Sequence, residues 1–155
     1  MQIENLTEQH MPSALELIRQ FNDESSYGLP VDRERAWLYL WSYACPDIAE
    51  TAGYVAVDDE EVMAGVLLSV SHEVHVKPFC YMTKFFVAPP ARRTSAARQL
   101  LARVNTFAAD HQCSHIFSSA TAGLDDLESR LFINLLCRDG YAVGGSILQK
   151  DLRHG

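Results

Sequence analysis

The residues best placed to do chemistry lie between Phe85 and Leu101. An apolar run, Phe85-Phe86-Val87-Ala88, meets Pro89-Pro90. Ala91, Arg92 and Arg93 follow, then Thr94-Ser95-Ala96-Ala97, then a helical apolar pattern. This order predicts a strand, a forced break and a helix whose first turn is cationic and nearly free of side-chain bulk. A helix N-terminus presents unpaired N–H groups at the positive end of its dipole and so attracts phosphate. Small side chains from Thr94 to Ala97 let a phosphate approach those amides. Arg92, Arg93 and Arg98 add charge-assisted donors at the rim. A pyrophosphate-bearing ligand is the expected occupant.

Charge patterning points the same way. The chain carries a formal net charge of −7, yet no Asp or Glu occurs between Glu73 and Asp110. That interval holds Lys77, Lys84, Arg92, Arg93, Arg98 and Arg103. Basic residues at a helix N-terminus oppose its dipole, so helix stability does not explain them. The acidic remainder argues against nucleic acid as a partner, because that needs a broad basic surface. It suits a cationic acceptor.

Other chemistries find less support. His72-Glu73-Val74-His75 lacks the spacing of a helical HExxH zinc motif. His111, Cys113 and His115 alternate and could share a strand face, but no fourth ligand accompanies them, so no metal is expected. Ser118-Ser119 has no G-x-S-x-G elbow. No G-x-G-x-x-G or GK[ST] motif occurs. Cys45, Cys80, Cys113 and Cys137 are scattered without a CxxC pair, as expected of free thiols in a cytoplasmic protein. Met1-Gln2-Ile3-Glu4-Asn5 lacks the basic and apolar regions of a signal peptide, and no apolar run approaches a bilayer span.

The elements that must position the cradle follow from periodicity. The 155 residues, 48% hydrophobic and 21% charged, predict one α/β domain over 1–155. Gln2–Leu6 reads as an opening strand. A helix then starts at Thr7 or Met11, with Pro12 favouring the later start. Asp32–Ala44 forms a second helix, with Ala36, Trp37, Leu40 and Trp41 on one face. Gly53–Val57 and Val62–Val70 pair across the acidic turn Asp58-Asp59-Glu60-Glu61. Val76–Val87 is a long strand. Thr94–His111 is a helix burying Ala97, Leu100, Leu101, Val104, Phe107 and Ala108. Cys113–Thr121 is a strand. Leu124–Arg138 is a helix carrying Leu127, Leu131, Leu135 and Leu136. Gly140 ends it as a left-handed terminator, and Tyr141–Leu152 makes one or two closing strands.

The stretch Val87-Ala88-Pro89-Pro90-Ala91-Arg92-Arg93-Thr94-Ser95-Ala96-Ala97-Arg98-Gln99-Leu100 resembles the acyl-CoA motif V-x-P-x-x-[Q/R]-x-x-G-x-[G/A]-x-x-L of the GNAT superfamily of N-acyltransferases. Val87, Pro89, Arg92, Ala97 and Leu100 match, and Ser95 replaces a glycine. Leu136-Cys137-Arg138-Asp139-Gly140-Tyr141 resembles the family's Y-x-x-x-G-[F/Y] ending, and the element order β-α-α-β-β-β-α-β-α-β spans nearly the whole chain. The resemblance implies an α+β fold: a mixed, mostly antiparallel central sheet with two splayed parallel strands and flanking helices. It implies acetyl-CoA as co-substrate, without a metal. Backbone groups of Phe85, Phe86 and Val87 would hold the pantetheine arm and thioester. Amides and side chains of Arg92, Arg93, Thr94, Ser95, Ala96, Ala97 and Arg98 would hold the pyrophosphate, and Asn134 is a candidate contact from the last helix.

The family chemistry is attack of a neutral amine on the thioester, which needs a base, an oxyanion donor and a proton for the thiolate. Two positions depart from the pattern. Leu136 stands where the family's proton-donating tyrosine would be. Tyr81, Met82, Thr83 and Lys84 supply no carboxylate on the strand before the motif. Tyr81, Glu73 and His72 are the replacement candidates. The expected function is acetyl transfer from acetyl-CoA to an amine-bearing small molecule or protein terminus, with a homodimer as the family habit. A catalytically impaired CoA-binding or protein-binding module on the same scaffold stays open on account of Leu136.

Overall fold

A computed structural model describes residues 1–25, 29–119 and 126–145. Among the described residues there are five strands and four α-helices, and the strands form one sheet in the order β1-β2-β3-β4-β5. They are β1 (Gln2–Asn5), β2 (Thr51–Asp58), β3 (Glu61–Ser71), β4 (Phe79–Val87) and β5 (His115–Ser118). The first four are antiparallel neighbours, and β5 lies parallel to β4. Four helices flank the sheet: α1 (Met11–Glu24), α2 (Arg33–Ala44), α3 (Ala96–Asp110) and α4 (Asp126–Arg138). The α+β architecture with splayed parallel strands is thus as the sequence implies. Among the described residues no helix is long and apolar enough to cross a membrane.

Both faces of the sheet are covered, which is why β3 reads as a nearly unbroken apolar run. On one face Val66, Leu68, Cys80 and Met82 pack with Leu100, Leu101 and Val104 of α3 and Leu136 of α4. On the other, Val55, Leu67 and Phe86 pack with Met11, Ala14 and Leu17 of α1 and Leu40 of α2. Gly65 is required at the centre: a Cβ there would meet the Phe86 ring at 2.6 Å.

Local chemistry sets the boundaries. Thr7 caps a short 3₁₀ turn that runs into α1, its N–H donating to His10 Nδ1 at 3.1 Å. Both proposed starts therefore have a basis. Asp32 caps α2 by accepting from the Arg35 amide at 3.0 Å. The β2–β3 hairpin turns through Asp59 and Glu60, with φ of 47° and 68°, the left-handed pair a tight hairpin needs. The α4 helix ends in a Schellman motif around Gly140 (φ 98°): Gly140 donates to Cys137 and Tyr141 to Leu136.

Several expectations are corrected. β4 starts at Phe79, not Val76. Pro78 lacks an N–H, and Val74 and Val76 are fully exposed in the preceding turn. α3 starts at Ala96, because the Thr94 hydroxyl accepts from the Ala96 amide at 3.2 Å. Ala96, not Ala97, is its fully buried alanine. β5 begins at His115, since Cys113 still donates to Ala108 at the end of α3. Trp41, Leu127 and Leu131 are exposed, whereas Leu40 and Leu136 carry the core. Tyr141–Gly145 form no strand. The remainder of the expected closing strands, the start of the last helix at Leu124 and the end of the Cys113–Thr121 strand lie outside the described residues.

Candidate functional site

The site begins where two paired strands part. β4 and β5 are in register from Phe79–His115 to Met82–Ser118, and pairing among the described residues stops there. Thr83 is a bulge: on β3, Leu67 faces Lys84 and Leu68 faces Met82, leaving Thr83 unmatched. The bulge also switches the faces of β4. Cys80 and Met82 point to the α3 side before it, while Phe86 points to the α1 side after it. Beyond the bulge, Lys84–Val87 run on without a strand partner on the β5 side among the described residues, leaving a slot.

Backbone direction defines what the slot offers. The Ala88 amide donates back to Met63 on β3 at 2.8 Å. Alternation along the strand then turns the polar groups of Phe86 and Lys84 toward β3, and those of Phe85 and Val87 into the slot. Phe86 therefore contributes its ring to the core and not its backbone to the slot. The Phe85 ring stacks near Phe132 of α4, centroids 5.0 Å apart, and forms one wall. The Phe85 N–H is left as a donor aimed at whatever lies between the strands.

The slot ends at the N-terminus of α3. Thr94 donates to Ala91, and Ala96 to the Thr94 hydroxyl. The amides of Arg93, Ser95, Ala97 and Arg98 have no partner among the described residues. Ser95 occupies the N-cap without a side-chain cap bond, and its hydroxyl instead accepts from Gln99 Nε2 at 2.7 Å. Arg93 and Arg98 are exposed. Arg92 is not: its Nε donates to the Val87 carbonyl at 3.1 Å, Nη2 binds Glu24, and Nη1 lies 3.7 Å from Glu128. Asn134 is on an exposed flank of α4.

At the other end, three expected residues separate into two groups. Tyr81 donates to Glu73 Oε1 at 2.8 Å, a bond that pushes the phenol above its ordinary pKa, because losing the proton would set two anions side by side. His72 instead meets Glu50 at 2.8 Å and stands apart. Tyr81 also stacks on Phe117 of β5, 5.5 Å between centroids. Leu136 is buried in the core. Tyr141, beside it, has a buried hydroxyl without a partner among the described residues, and burial raises its pKa.

Sequence reasoning missed a third group. Thr83 donates to the Leu67 carbonyl at 3.0 Å. Tyr43 lies 3.2 Å from the same hydroxyl, and Tyr39 is 3.5 Å from Tyr43. The Tyr39, Tyr43 and Thr83 hydroxyls thus form a chain that reaches the Leu67 carbonyl, which only accepts. Burial is the first cause that pushes Tyr39 up to about 12. The i, i+4 spacing of Tyr39 and Tyr43 was available in the sequence, on the same helix as the Trp37/Trp41 pair. His111 does not share a strand face with His115. It sits in the turn after α3 with its nitrogens on the Phe107 and Ala49 carbonyls, each at 2.9 Å. Among the described residues no three His, Cys, Asp or Glu side chains are placed to hold a metal ion.

A strand pair that splays at a bulge and opens onto an amide-rich helix N-terminus agrees with a known family. The family model for acetyltransferases of the GNAT type matches residues 13–148. The chain belongs to the GNAT acetyltransferase family. Members of the family take the acyl group from acetyl-CoA. Solved GNAT-like structures share the fold at low identity. An aminoglycoside N-acetyltransferase in complex with CoA superposes with a TM-score of 0.73 at 17% identity, covering 98% of this chain and 94% of that one. An aminoglycoside 6′-N-acetyltransferase from Acinetobacter haemolyticus gives 0.72 at 16%, covering 99% of each. An acetyltransferase from Trypanosoma brucei gives 0.73 at 12%, covering 97% and 99%. No curated protein matches the sequence significantly.

Proposed function

We propose that this GNAT acetyltransferase moves an acetyl group from acetyl-CoA to a primary amine on a small molecule or protein terminus. The observation that carries the reading is the slot, open from the Thr83 bulge to the partnerless amides of Arg93, Ser95, Ala97 and Arg98. The pantetheine arm lies along Phe85 and Val87, and the pyrophosphate sits on the α3 amides with Arg93 and Arg98 at the rim. The Phe85 N–H is the oxyanion donor, because it is fixed and points to where the thioester would lie. Asn134 on α4 is the remaining polar group of the set.

Tyr81 and Glu73 supply the acid–base chemistry. Glu73 takes a proton from the incoming ammonium, and the Tyr81 phenol, held protonated by that carboxylate, serves the leaving thiolate. His72, paired with Glu50, stays outside this exchange. The chain's net charge of −7 favours a cationic acceptor, and the two aminoglycoside acetyltransferases of the same fold act on amine-bearing small molecules of that kind. The test is release of free thiol from acetyl-CoA across a panel of aminoglycosides, polyamines and peptide N-termini. Turnover with any amine supports the reading. CoA binding with no thiol release from any of them favours the binding-module alternative that Leu136 suggests.

A further inference from the structure

Arg92 departs from the part the motif resemblance gives it. Its side chain is four-fifths buried, and all three of its nitrogens face acceptors within the protein. Nε holds the Val87 carbonyl at the end of β4, on the slot side of the strand. One terminal nitrogen binds Glu24, the last residue of α1, and the other faces Glu128 in the first turn of α4. α1 packs on one face of the sheet and the core residue of α4, Leu136, on the other. The side chain therefore passes the end of the sheet where β4 and β5 have parted, and ties both layers together across the slot mouth.

We infer that Arg92 is a positioning residue: with Glu24, Glu128 and the Val87 carbonyl it fixes the width of the slot beside the phosphate cradle, leaving the phosphates to the α3 amides, Arg93 and Arg98. This rests on the acyl-CoA reading of the slot. A planar guanidinium suits the task, because it can meet three acceptors in different directions, which an ammonium on a flexible stem cannot hold at once. Placing two carboxylates beside a phosphate site is otherwise unfavourable, and Arg92 neutralises both while they anchor it.

The two roles predict opposite signs. If Arg92 bound phosphate, removing the charge of Glu24 or Glu128 would release the guanidinium and tighten CoA. As a clasp, the same changes loosen the mouth and weaken CoA. Calorimetric titration of CoA into the wild-type protein and into Glu24→Gln, Glu128→Gln and Arg92→Lys decides between them, with thermal melts to confirm folding. The clasp predicts weaker CoA binding in all three, by about tenfold for Glu24→Gln and Arg92→Lys. The effect is smaller for Glu128→Gln, whose contact is longer. Tighter or unchanged binding in Glu24→Gln and Glu128→Gln, with Arg92→Lys tolerated as a phosphate-binding lysine would be, overturns the clasp while leaving the acyl-CoA reading intact. Absence of CoA binding by the wild-type protein overturns both.

Discussion

The two ends of the slot are built from different materials. The cradle end uses backbone: partnerless amides at the start of α3 and the inward-facing groups of Phe85 and Val87. The proposed transfer end uses side chains delivered by separate elements: Tyr81 from β4 and Glu73 from the turn before it, with the Thr83, Tyr43 and Tyr39 hydroxyls, from the bulge and α2, as a separate group. Backbone groups are supplied by any sequence that folds this way, so Ser95 in place of glycine still offers its amide to the proposed cradle. Side-chain chemistry is not interchangeable in that manner, so with Leu136 at the family tyrosine position the proposed transfer chemistry needs another residue as proton donor. On the proposed function, the cradle end accounts for binding and the transfer end for whether and on what the protein acts.

The sharpest way to break this division is at Tyr81 and Glu73. Tyr81→Phe and Glu73→Gln should each lower kcat by about 10²-fold or more, with the Kd for acetyl-CoA unchanged. A parallel loss of affinity would show that the two ends are not separable. Gly65→Ala attacks what both ends share. It drives a methyl group against the Phe86 ring and should cost about 1–3 kcal/mol, read as a fall in Tm that accompanies loss at both ends.

Ser95→Asp separates stability from binding at the cradle. Ser95 makes no cap bond of its own. A carboxylate there would cap the helix and favour its dipole, stabilising the fold by about 0.5–1 kcal/mol. The same carboxylate should weaken acetyl-CoA by at least about tenfold, since it competes for the amides. A higher Tm with weaker binding is the expected pair of results, by thermal melt and calorimetry.

A smaller effect concerns pH. The Tyr81 pKa is raised by its bond to Glu73, so its protonated form is favoured in the folded protein. Activity that needs the phenolic proton should persist to pH above the ordinary phenol range and fall only as pH rises through the raised value. In Glu73→Gln the residual activity should lose its alkaline limb at lower pH than in the wild type. A pH–rate series on both proteins reads this shift.

The strand, break and helix that frame the proposed cradle were legible in the sequence because their signals are local. Double proline, small residues and a helical period follow one another within twenty residues, and each acts through its neighbours. The same holds for Gly140, whose φ and Schellman bonds follow from a glycine after an apolar helix. The transfer end was only half legible. Tyr81 and Glu73 meet because a turn folds back along β4, and a positive φ of 30° at Glu73 belongs to that turn. The Thr83–Tyr43–Tyr39 chain depends on a bulge and on the packing of α2 against the sheet, neither of which leaves a periodic trace. Arg92 shows the converse: its type and spacing matched the motif, but two carboxylates distant in sequence give it another task.

The most direct test of the slot itself is a calorimetric titration of acetyl-CoA, with dephospho-CoA and ATP as controls. The account predicts one micromolar site for acetyl-CoA, with ATP weaker because it lacks the arm that follows Phe85 and Val87. No binding of any CoA species would contradict the assignment of the slot and, with it, the transfer chemistry placed at Tyr81 and Glu73.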